Sequence, residues 1–123
     1  MRIWNEIDPH RLCKKHLLAE HRETLCIWSV ITQNKKGYSK HPETVRYRHH
    51  LGALWLRHRK LMHEATRRGY NFKDLPDWPI HLDGLTEIAF VDPEPWDKQE
   101  FALLSKDCNC IKVISIGLNG LGA

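Results

Sequence analysis

Asp8-Pro-His-Arg-Leu-Cys-Lys-Lys-His16-Leu-Leu-Ala-Glu-His-Arg-Glu23-Thr-Leu-Cys-Ile-Trp-Ser-Val-Ile-Thr32 is the stretch whose periodicity sets the architecture. Asp is a favoured helix cap and Pro a favoured first-turn residue, so a long helix is expected from Asp8-Pro9 to about Thr32. At about 100° per residue, Leu12, Ile27 and Val30 fall within roughly 60° of one another and form an apolar stripe. Glu23 and His16 fall inside that stripe. A carboxylate on a packing face must be paired, protonated or lining a cleft, because burying an unpaired charge is prohibitive. Glu20 borders the same face one turn from His16, and Lys15 and Arg22 flank the stripe on one side. An acid and an imidazole in a cleft with two cations on its rim suit a site acting on a polyanion. Neutralisation of Glu23 by a core partner such as His58 is the alternative, and periodicity leaves both open.

Outward from this helix, Gln33 to Pro42 reads as a loop carrying the basic cluster Lys35, Lys36 and Lys40. A second long helix is expected from about Glu43 to Arg68, ending at Gly69, the residue that most easily takes the left-handed conformation beyond a helix end. Its packing face comprises Tyr47, Leu51, Leu54, Trp55, His58, Leu61, Met62 and Ala65, while Arg46, Arg57, Lys60 and Arg67 lie elsewhere and should meet solvent or phosphate. His58, alone among apolar neighbours, reads as a core histidine. From Leu75 to Pro95 the chain is rich in Pro and Asp and should wrap in extended form; a short third helix follows from Trp96 to Ser105. Trp78 and Trp96, beside prolines, should anchor that wrap by packing. The segment Ile111 to Ile116 has strand composition, and a Gly-rich flexible tail closes the chain. The expected fold is mostly α: a single compact domain over residues 1–123, with two long helices crossing, a short third helix, and the N-terminal segment threaded between helices to reach Glu23.

Composition narrows the partners. The apolar runs of the 123 residues fall far short of the ~20 residues that a membrane span needs, so no membrane partner is expected. Residues 1–73 carry 16 Lys and Arg against 6 Asp and Glu, and residues 74–123 carry 3 against 9, so the halves stand at +10 and −6. A strongly basic half suits a polyanion, since each phosphate neutralised releases condensed counterions from nucleic acid. The opening residues lack the apolar core of a signal peptide, which implies a cytoplasmic, reducing location and four free thiols. Cys108-x-Cys110 could be half of a zinc site with Cys13, Cys26 or a histidine. Its gap is shorter than the usual two residues and no second pair exists in sequence, so neither a metal nor another cofactor is expected.

Two motifs carry a resemblance. His16-Leu-Leu-Ala-Glu-His-Arg-Glu23 resembles the helix-one signature His-Leu-x-Ala-Glu-x-Arg-Glu of the pyrimidine-dimer DNA glycosylases, the phage endonuclease V family. Arg67-Arg-Gly-Tyr-Asn-Phe-Lys-Asp74 resembles that family's Lys-Arg-Gly-Phe-Asn-Ile-Lys-Asp at the end of helix two, and Arg2-Ile3 matches its start. The similarity covers about residues 1–75. It implies a DNA-repair glycosylase and strand-nicking lyase, in which a free α-amine attacks C1′ of the 5′ nucleotide of a cyclobutane pyrimidine dimer, forms a Schiff base and nicks the strand by β-elimination. The family's catalytic Glu corresponds to Glu23. Because Arg2 is too bulky for usual removal of the initiator, the nucleophile corresponds to Met1 itself. Arg2, Lys15, His16 and Arg22 match DNA-facing positions, and Lys35, Lys36 and Arg46 extend the expected DNA-binding set. The substrate implied is double-stranded DNA carrying a damaged base, bound by a monomer. This sequence departs from the family at Cys26, where the family has Arg, and in its acidic C-terminal part, where the phage enzyme is rich in aromatics. A glycosylase of the same fold for another lesion, and a non-catalytic DNA-binding protein on this scaffold, are the alternatives.

Overall fold

The start signal at Asp8-Pro9 opens a single 3-10 turn, Pro9–Arg11, rather than the long helix. In the computed structural model, which describes residues 2–75 and 92–112, Asp8 caps that turn by accepting from the His10 N–H. Leu12 and Cys13 are extended, and α1 then runs Lys14–Thr32. The break is held from outside the segment. Ile111 N–H donates to the Arg11 carbonyl at 2.7 Å and Arg11 Nε donates to the Ile111 carbonyl at 2.9 Å. A distant segment thus overrides local helix propensity.

The expected second helix is also divided, into α2, Pro42–Tyr47, and α3, Leu51–Arg67. Neither Gly nor Pro marks the break at residues 48–50, so the apolar period runs straight through it. Both outer ends of this pair carry clear signals. His41 caps α2 through its ring nitrogen, with Pro42 in the first turn. α3 ends in a Schellman arrangement around Gly69, φ +80°, with Tyr70 N–H bonded to the Ala65 carbonyl and Gly69 N–H to that of Thr66. The last helix, α4, spans Trp96–Leu104 as expected. There is no strand among the described residues, and no helix among them is long and apolar enough to cross a membrane. Trp78 and most of the Pro-rich wrap and strand-like tail lie outside the described residues.

The fold is mostly α, and the N-terminal segment is part of its core. Ile3 packs with Ile27, Trp28, Tyr47 and Leu54, while Trp4 and Ile7 pack with Leu12, Leu17, Leu61 and Leu103. Segment 3–7 therefore lies between α1 and α3 and joins both halves of the core, with α4 closing one side. Arg57 corrects the expectation that it faces solvent. It is 2% exposed, its guanidinium pairs with both oxygens of the fully buried Glu20, and it donates to the Ile7 carbonyl at 2.8 Å. Removing one partner of a buried pair strands the other charge and costs about 3–5 kcal/mol, against about 5–15 kcal/mol for a whole domain. Arg57→Met should therefore lower urea stability by that amount, and adding Glu20→Gln should restore most of it. A single variant as stable as the parent would show that this pair does not hold the N-terminal segment in place.

Candidate active site

Glu23, the acid inside the α1 stripe, is fully buried in the structure. His58 does not neutralise it. That imidazole is also fully buried, and its Nε2 lies 2.7 Å from Asp74 Oδ1, where burial holds its pKa below the ordinary histidine range. Glu23 Oε2 instead accepts a 2.9 Å hydrogen bond from the Tyr38 hydroxyl, and Oε1 has no hydrogen-bond partner among the described residues. The carboxyl is thus half-satisfied at a buried position, the arrangement that structural carboxylates avoid.

Tyr38 was not legible in the sequence, and its backbone explains why. It sits at φ +68°, a left-handed conformation that is a genuine outlier for a bulky residue and carries a strain on the order of 1–3 kcal/mol. The other non-glycine residue at positive φ among the described residues, Asn34, has an ordinary reason: it forms the Schellman end of α1, with Lys35 N–H on the Val30 carbonyl. The ring of Tyr38 lies flat against His41, centroids 4.1 Å apart, and His41 is fixed by capping α2. Burial, and then the bond to Glu23, raise the phenol pKa above its ordinary value, so Tyr38 stays a donor.

Glu43 joins the same cluster. It is buried, and burial raises its pKa against the opposing pull of Arg46 and Arg2, with Glu23 acting in the raising direction. Glu43 shares the Arg46 guanidinium with the Ile3 carbonyl, and Ile3 belongs to the same core cluster as Ile27, one turn beyond Glu23 on α1. Met1 itself lies outside the described residues. Cys26, standing where the family has Arg, is half-buried, and its thiol is pushed up by burial and then by Glu23.

The residues expected to meet DNA divide into two groups. Lys15, Arg22, Lys35 and Lys36 are exposed. Among the described residues none of them forms an ion pair, and Lys35 donates to the Ser29 hydroxyl. Lys35, Lys36 and Lys40 line one shallow depression with Arg48, a cation that sequence reasoning did not single out. The second group points inward. Arg46 pairs with Asp92 and Glu43 and donates to the Ile3 carbonyl at 2.9 Å, so its guanidinium fastens the N-terminal segment rather than reaching a surface. Arg2 pairs with Glu94 at 2.6 Å and lies over the Trp4 ring. His16 aims Nδ1 at the Cys110 sulfur, 3.0 Å away. The second motif is structural in its visible contacts: Arg68 donates to the Leu12 carbonyl at 2.6 Å, Gly69 ends α3, and Asp74 orients His58.

The sequence profile described as Pyrimidine dimer DNA glycosylase matches residues 1–76, the segment that contains Glu23, Tyr38 and Glu43. No match is found among curated proteins or among solved structures.

Proposed function

The chain belongs to the pyrimidine dimer DNA glycosylases, and from that premise we propose that it excises at cyclobutane pyrimidine dimers in double-stranded DNA and then nicks the strand as an AP lyase. The α-amine of Met1 attacks C1′ of the dimer's 5′ nucleotide and the glycosidic bond breaks, its electron pair leaving with the base. Opening of the sugar ring gives a protonated imine between the amine and C1′. Loss of a C2′ proton then expels the 3′ phosphate by β-elimination, and water hydrolyses the imine to return the amine. An α-amine suits this role because its reference pKa is about 7.7–8.0, against about 10.4 for Lys, so a useful neutral fraction exists near pH 7.

The observation that supports this reading is the buried carboxyl of Glu23, whose Oε1 has no hydrogen-bond partner among the described residues. Such a group steadies a developing cationic sugar and accepts the C2′ proton, and the Tyr38 hydroxyl keeps one oxygen oriented while the other is left for the reaction. Lys15, Arg22, Lys35 and Lys36 supply phosphate contacts. Extrusion of a nucleotide at a damaged step is cheaper than at an intact one, which gives selectivity before chemistry.

The test is a panel of three duplexes of one sequence: intact, carrying one cyclobutane dimer, and carrying one abasic site. Nicking of the second and third but not the first is expected. Nicking of the abasic duplex alone would assign the chain to another lesion, and no nicking would leave a DNA-binding protein. Binding to the dimer duplex should weaken steeply with salt, and Arg22→Ala and Lys35→Ala should each reduce the slope of log affinity against log salt by roughly one unit. A slope unchanged in both variants would remove these two side chains from the DNA face.

A further inference from the structure

The break before α1 has a chemical counterpart. Cys13 stands at the N-cap position of α1 and His16 sits one turn on, while the segment after α4 returns to lay Cys108 and Cys110 against them. One donor atom from each of these four residues lies within 4.8 Å of every other. His16 Nδ1 is 3.0 Å from Cys110 Sγ and 3.4 Å from Cys13 Sγ, and the Cys13 N–H donates to Cys110 Sγ at 3.0 Å. Cys110 is buried, and the other three are half-buried.

We infer that Cys13, His16, Cys108 and Cys110 form a structural zinc site that clips the C-terminal segment to the front of α1. Three sulfurs and one imidazole are a closed, four-donor set of the kind that zinc takes in tetrahedral structural sites, with no position left for a water. Bond lengths of about 2.3 Å to sulfur and about 2.0–2.1 Å to nitrogen separate tetrahedral donors by about 3.5–3.8 Å. The observed cluster therefore closes on an ion through small side-chain adjustments. Three thiolates on a dication leave one negative charge. Lys15, Lys106 and Lys112 act electrostatically on His16, which offsets that charge. Cys108-x-Cys110 had no second pair in sequence; the fold supplies one as Cys13-x-x-His16, a spacing that a helix N-terminus presents on one side. The two pairs stand far apart in the chain, 94 residues between His16 and Cys110. Cross-linking them removes unfolded-state freedom, so metal binding is also folding free energy. As a ligand, His16 lends Nδ1 to the metal, and its ring cannot turn that nitrogen to a phosphate.

The test uses the full chain and the metals alone. Zinc retained through gel filtration should reach one ion per chain. Cobalt(II) added to metal-stripped protein should give the intense d–d absorption of tetrahedral coordination together with a sulfur-to-cobalt charge-transfer band. Cys108→Ser and Cys110→Ser should lose stoichiometric binding, while Cys26→Ser, whose thiol lies outside the cluster, should keep it. His16→Cys should keep the site with a stronger charge-transfer band, from a fourth thiolate; this holds whether or not the serine variants fold. Absence of stoichiometric zinc in the parent, a cobalt spectrum without the sulfur band, or binding undisturbed in both serine variants would each overturn the assignment.

Discussion

Glu23→Gln is expected to abolish nicking of dimer duplex, with a single-turnover rate lower by a factor on the order of 10²–10⁴, the range for loss of a positioned acid or base. The amide keeps the shape of the carboxyl, and its oxygen can still accept from Tyr38, so the fold and the affinity for DNA should change little. What disappears is the negative charge facing the cationic sugar and the base that takes the C2′ proton. Tyr38→Phe provides a graded companion. It removes one hydrogen bond to a charged group, worth about 1.5–3 kcal/mol, and should slow the same step roughly tenfold to a hundredfold if that bond matters most in the transition state. Nicking by the Gln variant at the parental rate would mean that Glu23 is merely a buried carboxyl with an unusual environment.

Acetylating the α-amine of Met1, or extending the chain before it, should have an effect of the same size. An acetylated nitrogen gives its lone pair to the amide and cannot attack C1′. An added residue leaves a nucleophilic amine but moves it by one residue's length, about 3.3–3.6 Å, which is enough to take it out of attack distance. The segment that carries Met1 is anchored at Ile3, which is fully buried and whose carbonyl is held by Arg46, so that anchor cannot shift to compensate without breaking core contacts. Both modified proteins should remain folded and should bind dimer duplex with the parental salt slope. Retained nicking by the acetylated protein would move the chemistry to a lysine or to an activated water.

The α1 stripe made Glu23 legible because helical periodicity reports directly which residues face the core. It could not report what lies over a face. Arg46 and Arg57 fall off the apolar stripe and look solvent-facing, yet the N-terminal segment covers that side and turns both into internal donors to Ile3 and Ile7. The helix start at Asp8 was a real capping signal whose helix lasts one turn, because a segment roughly a hundred residues away bonds to Arg11. Tyr38 carried no signal at all, for its contact depends on a strained loop conformation that only tertiary packing fixes. The basic loop was the reverse case: Lys35 and Lys36 are exposed for the plain reason that charged loop residues between helices have nowhere to be buried.

The nucleophile itself is the claim on which the mechanism turns. Borohydride added during reaction with dimer duplex should reduce the imine to a stable amine and leave the protein covalently on DNA, and peptide mass spectrometry should place the adduct on residue 1. Trapping that maps to Lys15 or Lys35, or that persists when the terminal amine is acetylated, would contradict the account.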